Sequence, residues 1–133
     1  MSTGSREKIA LAREQAAVEP GSALKLLEEA QSELEDAGFS GHAAQHEGLR
    51  SSLLVAVGRG AEATRRRLDR LWLAIDHGSI TTAMIAEGEI RKLADQVKSK
   101  ASKDHASIAG LALNLYNNPL GSVPTLKELQ IGE

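Results

Sequence analysis

Leu53-Leu54-Val55-Ala56-Val57-Gly58-Arg59-Gly60-Ala61-Glu62-Ala63 decides the fold. An apolar run stops at Gly58, two linker residues follow, and Ala61-Glu62-Ala63 opens a second helical pattern. Glycine ends helices because it enters the left-handed region without a Cβ penalty. A link this short joins antiparallel neighbours. The rest of the chain repeats the theme of helix, glycine, helix.

Working outward, Ser5 to Val18 is expected as a first helix, with Ile9, Leu11, Ala12 and Ala16 as its apolar positions. Glu19-Pro20-Gly21 ends it, because proline cannot continue a helix and restricts the residue before it. Ser22 is the expected N-cap of a second helix. Ala23, Leu24, Leu27, Ala30, Leu34 and Ala37 recur there at helical spacing. Gly38-Phe39 looks like a glycine cap. A third helix is expected from Ser40 to Val57, where a close helix crossing would explain Gly48. The fourth runs from Ala61 to Asp76, with Leu68, Leu71, Trp72 and Ile75 on its inner face, and His77-Gly78 ends it. Ser79 caps a fifth, whose stripe is Ile80, Met84, Ile85, Ile90, Leu93 and Val97. Ser102 starts a sixth, carrying Ile108, Leu111, Ala112, Leu115 and Tyr116, with a packing role expected for Gly110. Asn117-Asn118-Pro119 stops it, and Thr125 to Glu128 matches a capping box.

The 133 residues are expected to form one helical domain, 1–133, with 117–133 as a short tail. Apolar residues make up 41% of the chain, enough for a core, and they are mostly Ala and Leu. Good helix formers dominate, while strands would want more β-branched and aromatic side chains. The fold class is therefore all-α, with about six antiparallel helices. With no cysteine, disulfides, thiolate metal sites and cysteine nucleophiles are excluded. The N-terminus carries no apolar signal core and no run reaches a membrane span, so a cytoplasmic protein with no membrane role is expected.

The net charge of −2 hides an asymmetry. From Glu19 to Glu47, the acids Glu19, Glu28, Glu29, Glu33, Glu35, Asp36 and Glu47 stand against Lys25 alone, while from Arg59 to Arg70 the bases Arg59, Arg65, Arg66, Arg67 and Arg70 stand against Glu62 and Asp69. An acidic chain with one small basic patch is a poor general nucleic-acid binder.

Offsetting 21–38 by forty residues pairs Ala23 with Ala63, Asp36 with Asp76 and Gly38 with Gly78. A helix-turn-helix unit near forty residues falls in the range of helical repeats. Leu54, Gly58 and Ala63, together with Ala23-x-x-x-Leu27-x-x-Ala30, resemble the turn and the small-large-small pattern of tetratricopeptide repeats. The Leu-Gly pair of that family reads Arg50-Ser51 here. The resemblance covers roughly 19–95 and implies a right-handed stack, or a plain helical bundle using the same turns. It also implies a groove that binds a peptide or protein segment.

Of the candidate constellations, His42-Ala43-Ala44-Gln45-His46 has the spacing for a divalent metal. Gln45 stands where a general base would be, and Glu47 points elsewhere, so the pair reads as exposed polar residues. Arg70 and His77 are spaced as in HEPN-type ribonucleases, but Leu71 follows the arginine where a polar residue is usual. No catalytic residue, metal or cofactor is assigned. Arg59, Arg65, Arg66, Arg67 and Arg70 are expected to face a partner protein or acidic peptide, since arginine pairs bidentately with carboxylates and phosphates. A self-associating bundle, with Trp72 or Tyr116 at the contact, is the alternative.

Overall fold

A computed structural model describes residues 3–117. It is all-α, with seven helices and no strand among the described residues. The Thr125–Glu128 capping box lies outside them. No helix among the described residues is long and apolar enough to cross a membrane. Contacts gather into two compact units, one ending at Arg59 and the other beginning at Gly60.

One turn device recurs. Gly38, Gly58 and Gly78, twenty residues apart, have φ of 89°, 80° and 72°. The residue after each donates its N–H five residues back: Phe39 to Leu34 O and Arg59 to Leu54 O at 2.7 Å, Ser79 to Ala74 O at 2.8 Å. These bonds satisfy carbonyls that a helix end leaves bare, and the positive φ is what selects glycine.

The first unit holds α1 (Thr3–Gln15), α2 (Pro20–Asp36), α3 (Ser40–Ala44) and α4 (Glu47–Ala56). Helix α2 packs against each of the others. Leu27, Leu34, Leu53 and Leu54 are fully buried, and Ala12, Ala23 and Ala30 are buried with them. Pro20 opens α2 rather than only breaking the chain. At a first helical position its missing N–H costs nothing and its fixed φ is already helical. Glu19, not Ser22, is the N-cap. Lys8 pairs with Glu33, which also accepts a hydrogen bond from the buried Ser5 hydroxyl at 2.9 Å. Those two bonds hold the Glu33 carboxyl below the usual carboxylate range.

The single helix expected over 40–57 is broken at Gln45-His46. Buried Gln31 supplies the reason. Its Nε2 donates to the Ala43 carbonyl at 2.9 Å, the acceptor that an unbroken helix would give to the Glu47 N–H. Gln31 is only 1% exposed. Its Oε1 accepts from Arg50 Nη1 at 2.8 Å, and Arg50 Nη2 pairs with Glu28 at 2.8 Å. Gly48, expected at a close crossing, is exposed, with nothing within 4 Å of where a Cβ would stand; the same holds for Gly110.

The second unit is a three-helix bundle of α5 (Gly60–Asp76), α6 (Ile80–Val97) and α7 (Lys100–Asn117), each packed on the other two. Its core joins Leu68, Leu71, Ala86, Ile90, Ala109 and Ala112. Three apolar residues expected inside lie outside. Trp72 is 42% exposed, and Met84 and Ile85 are also exposed. The inner stripe of α6 is Ala83, Ala86, Ile90 and Ala94, spaced at i, i+3, i+7 and i+11. Alanines let the helices close on one another, and the larger residues one step round the helix are turned out.

Lys98 ends α6 in the left-handed region at φ 61°. Ser99 Oγ then accepts the Ser102 N–H at 3.1 Å, so the sixth expected helix starts earlier than Ser102. Ser102 is instead a buried link between helices. Its hydroxyl lies 3.2 Å from Thr64 Oγ1, which is 2.7 Å from His105 Nδ1.

Burial, then the Arg65 charge, holds the His105 pKa below the ordinary value of 6.5, with Asp104 and Asp69 partly opposing. The unfolded chain therefore takes up a proton before the native imidazole does. The stability this linkage contributes is present above pH 6.5 and is lost as pH falls through the depressed value. The urea midpoint of the second unit is expected to fall from pH 7.5 to 5.5, and His105→Gln to flatten that decline. An equal slope in both proteins would exclude His105 as its source.

Candidate interaction surface

The five arginines do not form one patch. Successive helical residues point about 100° apart, so Arg65, Arg66 and Arg67 leave α5 in three directions. Arg65 lies along the flank that meets α7: it pairs with Asp69 at 3.3 Å, and its charge acts on His105. Arg67 points toward α6 and pairs with Glu89, leaving only 13% of its side chain exposed. Arg66 and Arg70 share a face one turn apart. Arg59 belongs to the first unit.

A shallow groove of about 40 Å³ runs between α5 and α6, lined by Arg67, Arg70, Thr82, Ile85, Ala86 and Glu89. Arg66, Arg70 and Leu73 fall at i, i+4 and i+7, which makes one stripe along α5. Thr82, Ile85 and Glu89 fall at i, i+3 and i+7 on α6. Leu73 and Ile85 are 56% and 57% exposed, and the one acid that lines the groove, Glu89, is already paired to Arg67. Among the described residues no carboxylate pairs with Arg70. The sequence alone points to the arginines but not to Leu73 or Ile85, since its periodicity places Ile85 in the core stripe of α6.

His77 lies just beyond α5 and is exposed, with its Nδ1 2.8 Å from the Leu73 carbonyl. That contact holds the ring against the end of α5. His42 and His46 straddle the break before α4, so they do not share one continuous helix. They stand near Arg6 and Arg13 of α1, and no group of three metal-ligating side chains occurs among the described residues. Comparison with protein-family models, curated proteins and solved structures returned no match.

Proposed function

We propose that the chain is a non-catalytic interaction module whose α5–α6 face captures an acidic amphipathic helix of a partner protein. The observation that carries this is the groove where Arg70 of α5 and Ile85 of α6 meet, with Arg66 and Leu73 on the same stripe of α5 as Arg70. A helix laid in a groove needs apolar anchors at helical spacing, and its charged edge needs an opposite charge that is not already neutralised. Arg70 supplies that charge and Leu73 with Ile85 the anchors, while Arg67 is spent on Glu89. The recurrent turn at Gly38, Gly58 and Gly78 supports the helical-repeat reading of the chain. On this reading the module works in the cytoplasm, where a chain without cysteine is indifferent to reducing conditions.

Arg70→Glu is expected to weaken binding of a fluorescent Leu/Glu-rich helical peptide about tenfold, with helicity unchanged. Lys25→Glu, an equal charge change on α2, is expected to leave it unaltered. Equal affinities for Arg70→Glu and wild type would remove the proposal. Arg67 is unsuitable for this test, since Arg67→Glu sets two carboxylates against each other across α5 and α6.

Exposed Trp72 favours a second reading, self-association through the opposite flank of α5. Sedimentation of wild type beside Trp72→Ser decides it: a dimer lost in the variant supports it, and a monomer at high concentration ends it.

A further inference from the structure

One pocket of the first unit gathers two arginines and two histidines and no acid. This pocket, of about 250 Å³, opens between α1 and the α3–α4 break. Arg6 and Arg13 enter it from α1, one on each side of Ile9 and Ala10; His42 and His46 enter from the opposite wall. No carboxylate lines it, and among the described residues none forms an ion pair with these four groups. Elsewhere in the unit the pattern is the reverse: Lys8 and Arg50 each have a glutamate partner. Two guanidinium groups that share a pocket without a counter-charge, with two imidazoles able to donate beside them, make a place suited to an anion.

We infer that this pocket binds a phosphate monoester of a small molecule. Arginine forks fit phosphate oxygens two at a time, and imidazole adds a donor that strengthens as it gains a proton. A carboxylate offers one charge and two oxygens. A monoester offers up to two charges and three free oxygens, which suits two guanidinium and two imidazole groups better. Ile9 and Ala10 give the ester's organic part an apolar wall. The volume lies just under the roughly 300–1,000 Å³ of drug-sized sites, so that part is small.

The local hydrogen bonding fits the same assignment. Arg13 Nη2 lies 3.3 Å from His46 Nδ1. Arginine has no acceptor, so Nδ1 accepts and the ring proton sits on Nε2 as a free donor. Burial, then Arg13, then His42 hold the His46 pKa below 6.5. An anion among these groups offsets the last two effects, so His46 takes up a proton more readily in the complex. Arg13, released from Nδ1, then turns onto the ligand.

Calorimetry on the full chain with phenyl phosphate, inorganic phosphate and benzoate tests the assignment. Phenyl phosphate is expected to bind saturably, several-fold tighter than phosphate and tighter still than benzoate. Arg13→Gln and Arg6→Gln are each expected to weaken it about tenfold, and Lys25→Gln to leave it unchanged. The ring NMR signals of His46 are expected to titrate at higher pH in the complex. Arg6 is exposed in the second turn of α1, so its variant decides the matter if Arg13→Gln loses helicity. Absence of saturable heat, or affinity indifferent to Arg6→Gln, would overturn the site. Benzoate binding as tightly as phenyl phosphate would overturn the phosphate specificity. A phosphoserine peptide binding more tightly than phenyl phosphate would overturn the small-molecule assignment.

Discussion

Gln31→Leu is expected to destabilise the first unit by about 2–4 kcal/mol, read as a lower urea midpoint at unchanged slope. Leucine matches the volume closely, so packing is not what is lost. The amide serves two elements at once, donating to the Ala43 carbonyl on α3 and accepting from Arg50 on α4. Without it the Ala43 carbonyl keeps only the His46 N–H at 3.2 Å, and the half-buried Arg50 guanidinium keeps only Glu28. A neutral hydrogen bond contributes about 0.5–1.5 kcal/mol and one to a charged group about 1.5–3 kcal/mol. The Ala43 carbonyl then becomes available to the Glu47 N–H, so α3 and α4 are expected to merge toward one helix. An increase in helicity alongside the lower midpoint would be the signature of both effects. A change below about 0.5 kcal/mol, the range of an ordinary surface substitution, would mean the network contributes nothing.

Gly60→Ala is expected to cost the second unit about 1–3 kcal/mol, although alanine is the better helix former. A Cβ at position 60 would stand 2.5 and 2.7 Å from the two Val97 methyls and 3.2 Å from Val97 Cβ. Valine is stiff about χ1, and no rotation takes both methyls and Cβ away together. The start of α5 and the end of α6 must therefore separate. Val97→Ala in the same chain is expected to recover most of the loss, a coupling of about 1 kcal/mol or more in a double-mutant cycle. Additive effects of the two substitutions would show that the close approach of Gly60 and Val97 is not what sets the cost.

The turns were legible in the sequence because their chemistry is local. Gly38, Gly58 and Gly78 satisfy a rule about one residue's φ and its neighbour's N–H, and that rule needs no knowledge of what packs nearby. The faces were less legible. Trp72, Met84 and Ile85 are large apolar residues near the stripes of their helices, so periodicity assigns them inward. The structure instead buries Ala83, Ala86 and Ala94. Close helix approach is a pairwise property, and one helix's pattern does not contain it. Gln31 stayed hidden for the same reason, since a glutamine on an apolar stripe declares its role only when α3 and α4 bring Ala43 and Arg50 to it. The run of arginines was visible at once, yet its division into paired Arg65, paired Arg67 and outward Arg70 depended on Asp69, on Glu89 and on where α6 lies.

Chemical-shift mapping of an acidic amphipathic helical peptide onto the isotope-labelled chain tests the central claim most directly. The account predicts perturbations concentrated at Arg66, Arg70, Leu73, Thr82 and Ile85, fading as salt rises. Perturbations centred on α7 or on the first unit, or none at saturating peptide, would contradict it.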